Sequence, residues 1–211
     1  MDKRCIPALE QVSKAYDGKL TAHQGDALDM QELELLQPQE GETLRIASNL
    51  PYNVGTMLLI KWLTLKDWKP WFASLTLMFQ REVAQRIVAA PGSKAYGRLS
   101  VLAQWRGNVK IAMNVPAAAF TPPPKVASAI IHYEPMEPID PTVKLSDLEY
   151  VVEKAFGQRR KMLRASLKAL PVPVMDLLAS AELEPTERAE NITVPQFVRL
   201  AKVYREMLKK N

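Results

Sequence analysis

Along the first half of the chain, short apolar runs alternate with stretches whose apolar residues recur every three to four positions, the order a strand–helix–strand succession produces. Residues 20–24 form a short strand-like run that ends on Gly25-Asp26, and residues 44–48 form a second that closes on Asn49-Leu50-Pro51-Tyr52. Residues 56–65 are apolar on most helical faces, which predicts a buried helix. A third strand is predicted over 73–79 and runs into a helix over 81–89, which Pro91-Gly92-Ser93 breaks. After a helix near 99–104, residues 109–115 and 126–133 have strand periodicity and flank a loop over 116–125.

The pattern then changes. Residues 134–141 (EPMEPIDP) hold three prolines and no periodicity, which predicts a linker. Beyond it only helical spacing occurs, over 146–156, 161–170, 174–181 and 194–208. Ser146 suits an N-cap, and Thr193 with Pro195 just inside gives the last helix a similar start. The chain therefore divides into an α/β part over 1–134, a linker over 135–145 and an all-helical part over 146–211.

Composition narrows the class. With 211 residues, 47% of them hydrophobic, the chain can bury a real core, which excludes disordered and fibrous classes. No apolar run approaches the roughly 18 to 20 residues of a membrane span, so a cytoplasmic protein with no membrane partner is expected. One cysteine and two histidines exclude an internal disulfide and disfavour a zinc cluster, so no metal is expected. The net charge of +5 is moderate, but its distribution is uneven. Arg159, Arg160, Lys161, Arg164 and Lys168 form one basic run and Lys202, Arg205, Lys209 and Lys210 another, as a polyanion-binding face or a solvated helix face would have.

Asn49-Leu50-Pro51-Tyr52 follows a strand and precedes a helix, at the carboxyl edge of the sheet where open α/β folds bind ligands. An exocyclic amine on a base is a poor nucleophile because its lone pair is delocalised into the ring. An enzyme that methylates it must hold it in line with the methyl donor, which takes acceptors for the amino hydrogens. The Asn49 side-chain oxygen and the Leu50 carbonyl supply two, Pro51 fixes the turn and Tyr52 offers a stacking face, so the rate gain comes from orientation and electrostatics. The same residues also suit an Asx-type turn that caps a helix, with Tyr52 packed. On the second loop, Pro122 to Pro124 stiffen the backbone around Phe120. An aromatic there can stack on an extruded base, worth ~1 to 3 kcal/mol, and Lys125 can approach phosphate. A proline-rich connector with Phe120 in the core is the alternative. Gly25-Asp26-Ala27 at a strand end suits either ordinary turn chemistry or an acid that accepts from a nucleotide's adenine amino group.

Taken together these segments resemble the small-subunit ribosomal RNA adenine N6,N6-dimethyltransferases over essentially the whole chain. The likeness runs through Gly25-Asp26-Ala27-Leu28, Asn49 to Tyr52, the FQREVAQR segment over 79–86, Phe120 to Ala129, the FGQRRKMLR segment over 156–164 and Arg188-Ala189-Glu190. The tail segments discriminate most, because boxes like Asn49 to Tyr52 occur in other adenine methyltransferases. The resemblance implies a Rossmann-like S-adenosylmethionine-dependent sheet, incomplete at its N-terminus, with a small helical C-terminal domain. It also implies dimethylation of two adjacent adenosines near the 3′ end of small-subunit ribosomal RNA, on the immature subunit, by a monomer. Asn49, Leu50, Pro51, Tyr52 and Phe120 would handle the target adenine. Gly25, Asp26, Ala27 and Asn49 would meet the cofactor, S-adenosylmethionine. Lys125, Arg159, Arg160, Lys161 and Arg164 would meet RNA, although the arginines also suit pairing with neighbouring acids.

The family pattern opens with a strand and a glycine-rich E-x-G-x-G loop, and none of the eight glycines here forms that pattern. The resemblance therefore implies that Met1 is an internal methionine of a longer chain, a misplaced start or a product of gene decay. It further implies that the strands ending at Gly25 and Asn49 are left with unpaired edges, and that a non-catalytic RNA-binding remnant is the competing function.

Overall fold

The computed structural model describes residues 5–66, 68 and 70–210, the side chain of Tyr52 excepted. They form two units, one up to Gln39 and one from Glu40 onward. The expectation for Met1 lies outside the described residues.

In the first unit, helix α1 (Cys5–Ala15) and the short helix α2 (Glu32–Leu36) bury no side chain. None of the described residues up to Gln39 is buried. Asp17 and Gly18, both at positive φ, turn the chain out of α1. The strand expected over 20–24 does not form. A strand needs a neighbour to take its backbone hydrogen bonds, and none lies beside this segment among the described residues. Its bonds are local instead: the Ser13 hydroxyl donates to the Leu20 carbonyl at 2.5 Å.

In the second unit the period-two runs become strands. Strands β1 (Leu44–Asn49), β2 (Phe72–Gln80), β3 (Gly107–Val115) and β4 (Ser128–Pro135) form one sheet in the order β1-β2-β4-β3. The sheet is mixed. Between β1 and β2 lies helix α3 (Tyr52–Leu63), a crossover long enough for parallel pairing. The loop between β3 and β4 contains no such helix, and β4 runs antiparallel to both β3 and β2.

Register puts the apolar residues on one face. Leu75 pairs with Tyr133, Leu77 with Ile131 and Phe79 with Ala129, and all six are buried. Helices α3, α4 (Arg81–Ile87) and α5 (Arg98–Trp105) cover that face with Leu58, Leu59, Trp62, Leu63, Ala84, Ile87 and Val101. The opposite face carries Ala47, Thr76, Met78, Ile130 and His132, none of them buried. There the Thr76 hydroxyl and His132 Nδ1 lie 3.0 Å apart. Among the described residues no strand adds to the outer edge of β1.

Tyr133 is buried against Gly107, where a Cβ would stand 2.1 Å from the ring, so the first residue of β3 has to be glycine. Next to it, the Arg106 guanidinium is sandwiched between Trp105 at 4.1 Å and Trp68 at 4.7 Å. It also donates to the carbonyls of Leu65 at 3.1 Å and Leu63 at 3.4 Å. Trp68 Nε1 and the Arg106 carbonyl bind Met136 through its carbonyl and its N–H, each at 2.8 Å. The start of the expected linker is therefore pinned to the sheet.

Beyond it, helices α6 (Leu145–Gly157), α7 (Leu163–Ser166), α8 (Val174–Ser180) and α9 (Val194–Lys210) match the helical spacing. Over 161–170 the helix is shorter than expected, because α7 passes at once into the 3-10 turn Leu167–Ala169 ahead of Pro171 and Pro173. Leu148, Val152, Phe197, Val198 and Tyr204 share one core with Tyr96, Val101 and Trp105. Among the described residues no helix is long and apolar enough to cross a membrane.

Asp140 ties the linker to α9. Its carboxylate accepts from Lys202 Nζ at 2.8 Å, the Thr142 hydroxyl at 2.6 Å and the Thr142 N–H at 2.9 Å. The bond from Lys202, then those from Thr142, hold its pKa down to about 2. A depressed carboxylate stabilises the fold above its unfolded value, and that stabilisation is lost as pH falls through the folded value. Thermal melting of the parent and of Asp140→Asn should therefore differ by a constant margin from neutral pH down to about 4 and converge toward pH 2. A margin that persists at pH 2 would show that the carboxylate's charge is not its source.

Candidate active site

The carboxyl end of β1 delivers Asn49, which lies beside Met78 of β2. Leu50 follows, then Pro51 with φ −54° and ψ 136°, an extended residue that stops the strand and starts α3. The Pro51 carbonyl accepts the N–H of Val54 at 2.9 Å and of Gly55 at 3.1 Å, so the turn is closed by backbone alone. Gly55 lets α3 approach the sheet: a Cβ there would lie 3.1 Å from the Phe79 ring and 3.8 Å from Leu50. Asn49 is exposed, and its side chain has no hydrogen-bond partner among the described residues. An Asx-type cap would have engaged that side chain, whereas here its carbonyl oxygen is left for a ligand. Tyr52 opens α3, but the expected stacking by its ring lies outside the described residues.

The second predicted loop comes to the same edge of the sheet. Because β4 is antiparallel to β2, its first residue, Ser128, pairs with the last residue of β2, Gln80. The Arg81 N–H donates to the Ala127 carbonyl at 2.9 Å, which fastens the loop's return there. Phe120 follows the 3-10 turn Ala117–Ala119 in an extended conformation and is half-buried, while Lys125 is exposed. The Thr121–Pro122 bond is cis. Topology thus brings Asn49 to Tyr52 and Phe120 to Lys125 to one sheet edge. Gln80, half-buried at the end of β2, stands at that edge too. The FQREVAQR segment singled out in the sequence contains it, but that likeness assigns it no role, and glutamine before a helix carries no chemical signal of its own.

Of the expected cofactor residues, Gly25, Asp26 and Ala27 lie in the first unit and Asn49 in the second. Asp26 is exposed and forms an Asx turn, its Oδ1 accepting the Leu28 N–H at 3.0 Å. Its carbonyl accepts from Asp29 and Met30 at 3.1 Å. Gly25 gives room to the Met30 methyl, which would be 2.5 Å from a Cβ. A shallow hollow of about 510 Å³ over Gly25 and Asp26 is also lined by Asp29 and Glu34.

The basic residues of the helical part divide in two. Arg160, Lys161 and Arg164 are exposed, with no side-chain partner among the described residues. Arg159 is engaged. Its Nε donates to Glu190 Oε2 at 3.0 Å, and its Nη2 donates to the Lys94 carbonyl at 2.6 Å. Glu190 is the last residue of the Arg188-Ala189-Glu190 segment singled out in the sequence, and its own carbonyl accepts the Gly92 N–H at 2.7 Å. Nearby, the buried Tyr96 hydroxyl donates to the Ile192 carbonyl at 2.9 Å.

A model of the ribosomal RNA adenine dimethylase family matches residues 1–206. The ribosomal RNA small subunit methyltransferase A of Ruegeria sp. (strain TM1040) is 55% identical over 205 residues, which cover 95% of this chain and 70% of the relative. Among solved structures, a dimethyladenosine transferase from Plasmodium falciparum superposes with a TM-score of 0.80 at 23% identity, covering 98% of this chain and 80% of its own. The 23S rRNA methyltransferase ErmE gives 0.67 at 21% identity, with 97% and 79% covered. At these identities the two structures speak for the fold, a Rossmann-like methyltransferase sheet.

Proposed function

The chain belongs to the ribosomal RNA adenine dimethylase family, and on that basis we propose that it transfers methyl groups from S-adenosylmethionine to N6 of two adjacent adenosines near the 3′ end of small-subunit ribosomal RNA. The observation that carries this reading is the unpartnered Asn49 side chain at the strand end that the Phe120 loop also reaches. Asn49 Oδ1 and the Leu50 carbonyl accept the two amino hydrogens and turn the nitrogen lone pair out of conjugation. Pro51 sets the spacing of the two acceptors. Phe120 covers one face of the extruded base and Tyr52 the other, which offsets the cost of unstacking it. As positive charge develops on the amine, the same two acceptors stabilise it without reorganising.

S-adenosylmethionine supplies an electrophilic methyl on a sulfonium. Asp26 fits the adenine end of that molecule, since one carboxylate oxygen is held by Leu28 and the other is free among the described residues to accept from an amino group. Gly25 and Ala27 would flank it. The methionine end has no matching glycine loop: the 211-residue sequence holds no E-x-G-x-G segment, and among the described residues of the first unit no buried polar group awaits a partner.

Lys125, Arg160, Lys161 and Arg164 supply exposed charge for ribosomal RNA, with the helices over 146–211 as the RNA-facing domain. The setting of the reaction is the cytoplasm, on immature small subunits, with the protein acting as a monomer. Incubation with unmethylated small subunits and tritiated donor, followed by mapping of modified adenines, tests the reaction. Two adjacent dimethyladenosines near the 3′ end are expected. Label confined to large-subunit RNA, or none at all, overturns the assignment.

A further inference from the structure

A cleft of about 1020 Å³ lies between α4, the turn ahead of α5 and the end of α6. Its volume is at the top of the range of small-molecule sites, but such sites are mostly apolar and this one is lined by six charged side chains. Pairing sorts them. Glu82 is taken by Arg86 one helical turn away, and Glu190 by Arg159. Lys94 is exposed and has no side-chain partner among the described residues. Arg98 is 61% exposed and only 3.8 Å from Glu153, a carboxylate that Lys154 approaches more closely, at 3.3 Å. Both acids of the cleft are therefore neutralised, and two cations are left facing it.

The turn that carries Lys94 and leads into Arg98, the first residue of α5, is tied down by hydrogen bonds. Arg159 grips the Lys94 carbonyl, Gly92 donates to the Glu190 carbonyl, and Ser100 Oγ accepts the Gly97 N–H at 3.1 Å while donating to the Arg86 carbonyl at 2.5 Å. Lys94, with no side-chain partner among the described residues, and Arg98, with only Glu153 at 3.8 Å, a carboxylate it shares with Lys154, form a cationic pair complementary to a phosphodiester chain.

We propose that this cleft binds the backbone of the substrate RNA through Lys94 and Arg98, and that Arg159 with Glu190 positions the turn that presents them. The inference rests on the RNA substrate proposed above and adds a contact surface to it. Arg159, despite its place in a basic run, acts by fixing where Lys94 and Arg98 point. Two lost phosphate contacts lower the salt dependence of binding by about two in log–log slope and weaken binding about tenfold near physiological salt.

The test measures binding and methylation of a hairpin RNA with two adjacent loop adenines across a salt series, for the parent chain, K94A/R98A and K94R/R98K. The alanine pair should lose affinity and slope as stated at an unchanged melting temperature, and the charge-conserving pair should retain both. If the parent binds and methylates the hairpin and K94A/R98A matches it in affinity and slope, the cleft is not an RNA site and the family reaction stands. A defect seen only on assembled subunits and not on naked RNA assigns the cleft to a ribosomal protein and overturns the proposal. Failure of the parent chain to bind RNA at all removes both the cleft and the substrate reading.

Discussion

Asn49→Ala should lower methyl transfer by about 10²- to 10³-fold while RNA affinity and melting temperature stay close to those of the parent. The magnitude is that of deleting one preorganised hydrogen-bond partner aimed at developing charge. The separation of effects follows from the position of Asn49. It is exposed at the end of β1 and holds no other part of the fold among the described residues, so truncation costs stability no more than ~0.5 kcal/mol. RNA affinity comes mainly from phosphate contacts made elsewhere on the surface. Single-turnover transfer rates at saturating RNA isolate the step, and Asn49→Asp sharpens the result. The aspartate keeps an acceptor while adding charge, so it should retain more activity than alanine. Parent-like rates in the alanine variant would take Asn49 out of the mechanism.

Gly107→Ala should destabilise the second unit by about 3 kcal/mol, near the upper end for overpacking. The added methyl would meet Tyr133 at 2.1 Å from Cζ and 2.3 Å from Cε2 and the hydroxyl. Neither side has room to yield, because Tyr133 is fully buried and Gly107 is paired in register with Pro135, flanked by the bond from the Met136 N–H to the Arg106 carbonyl. Urea denaturation followed by tryptophan fluorescence would measure the loss. Tyr133→Ala alone costs about 3 to 5 kcal/mol, and in its background Gly107→Ala should cost at least ~1 kcal/mol less than by itself. Strict additivity would mean that the methyl is accommodated by a shift of the strand rather than resisted by the ring.

The strands of the second unit were legible because one sheet face is buried. Leu75, Leu77 and Phe79 alternate with Thr76, Met78 and Gln80, and that alternation is visible in one dimension. The direction of β4 was not, since it depends on the connection from β3 and not on either strand's composition. Residues 20–24 have strand composition, but composition cannot supply the neighbour that a ladder requires. Asn49 and Phe120 could be singled out because each follows a strand end, where topology gathers ligand-binding groups. The cleft could not. Arg159 finds Glu190 across 31 positions and the Lys94 carbonyl across 65, and no periodicity encodes either meeting. A basic run in the sequence reads as one surface, whereas folding has divided it between a structural arginine and its exposed neighbours.

The burial of two phenols sets an alkaline limit on the fold. Tyr96, bonded to the Ile192 carbonyl, and Tyr133, whose hydroxyl has no partner among the described residues, both have ionisation pushed above the ordinary tyrosine value, in each case chiefly by desolvation. Below the ordinary value near 10 their full contribution to stability is present. Above it the unfolded chain releases phenolic protons that the folded chain retains, and stability declines with each step of pH. In an absorbance titration, these two of the six tyrosines would become tyrosinate only as the fold opens, so their colour change would report unfolding rather than acidity.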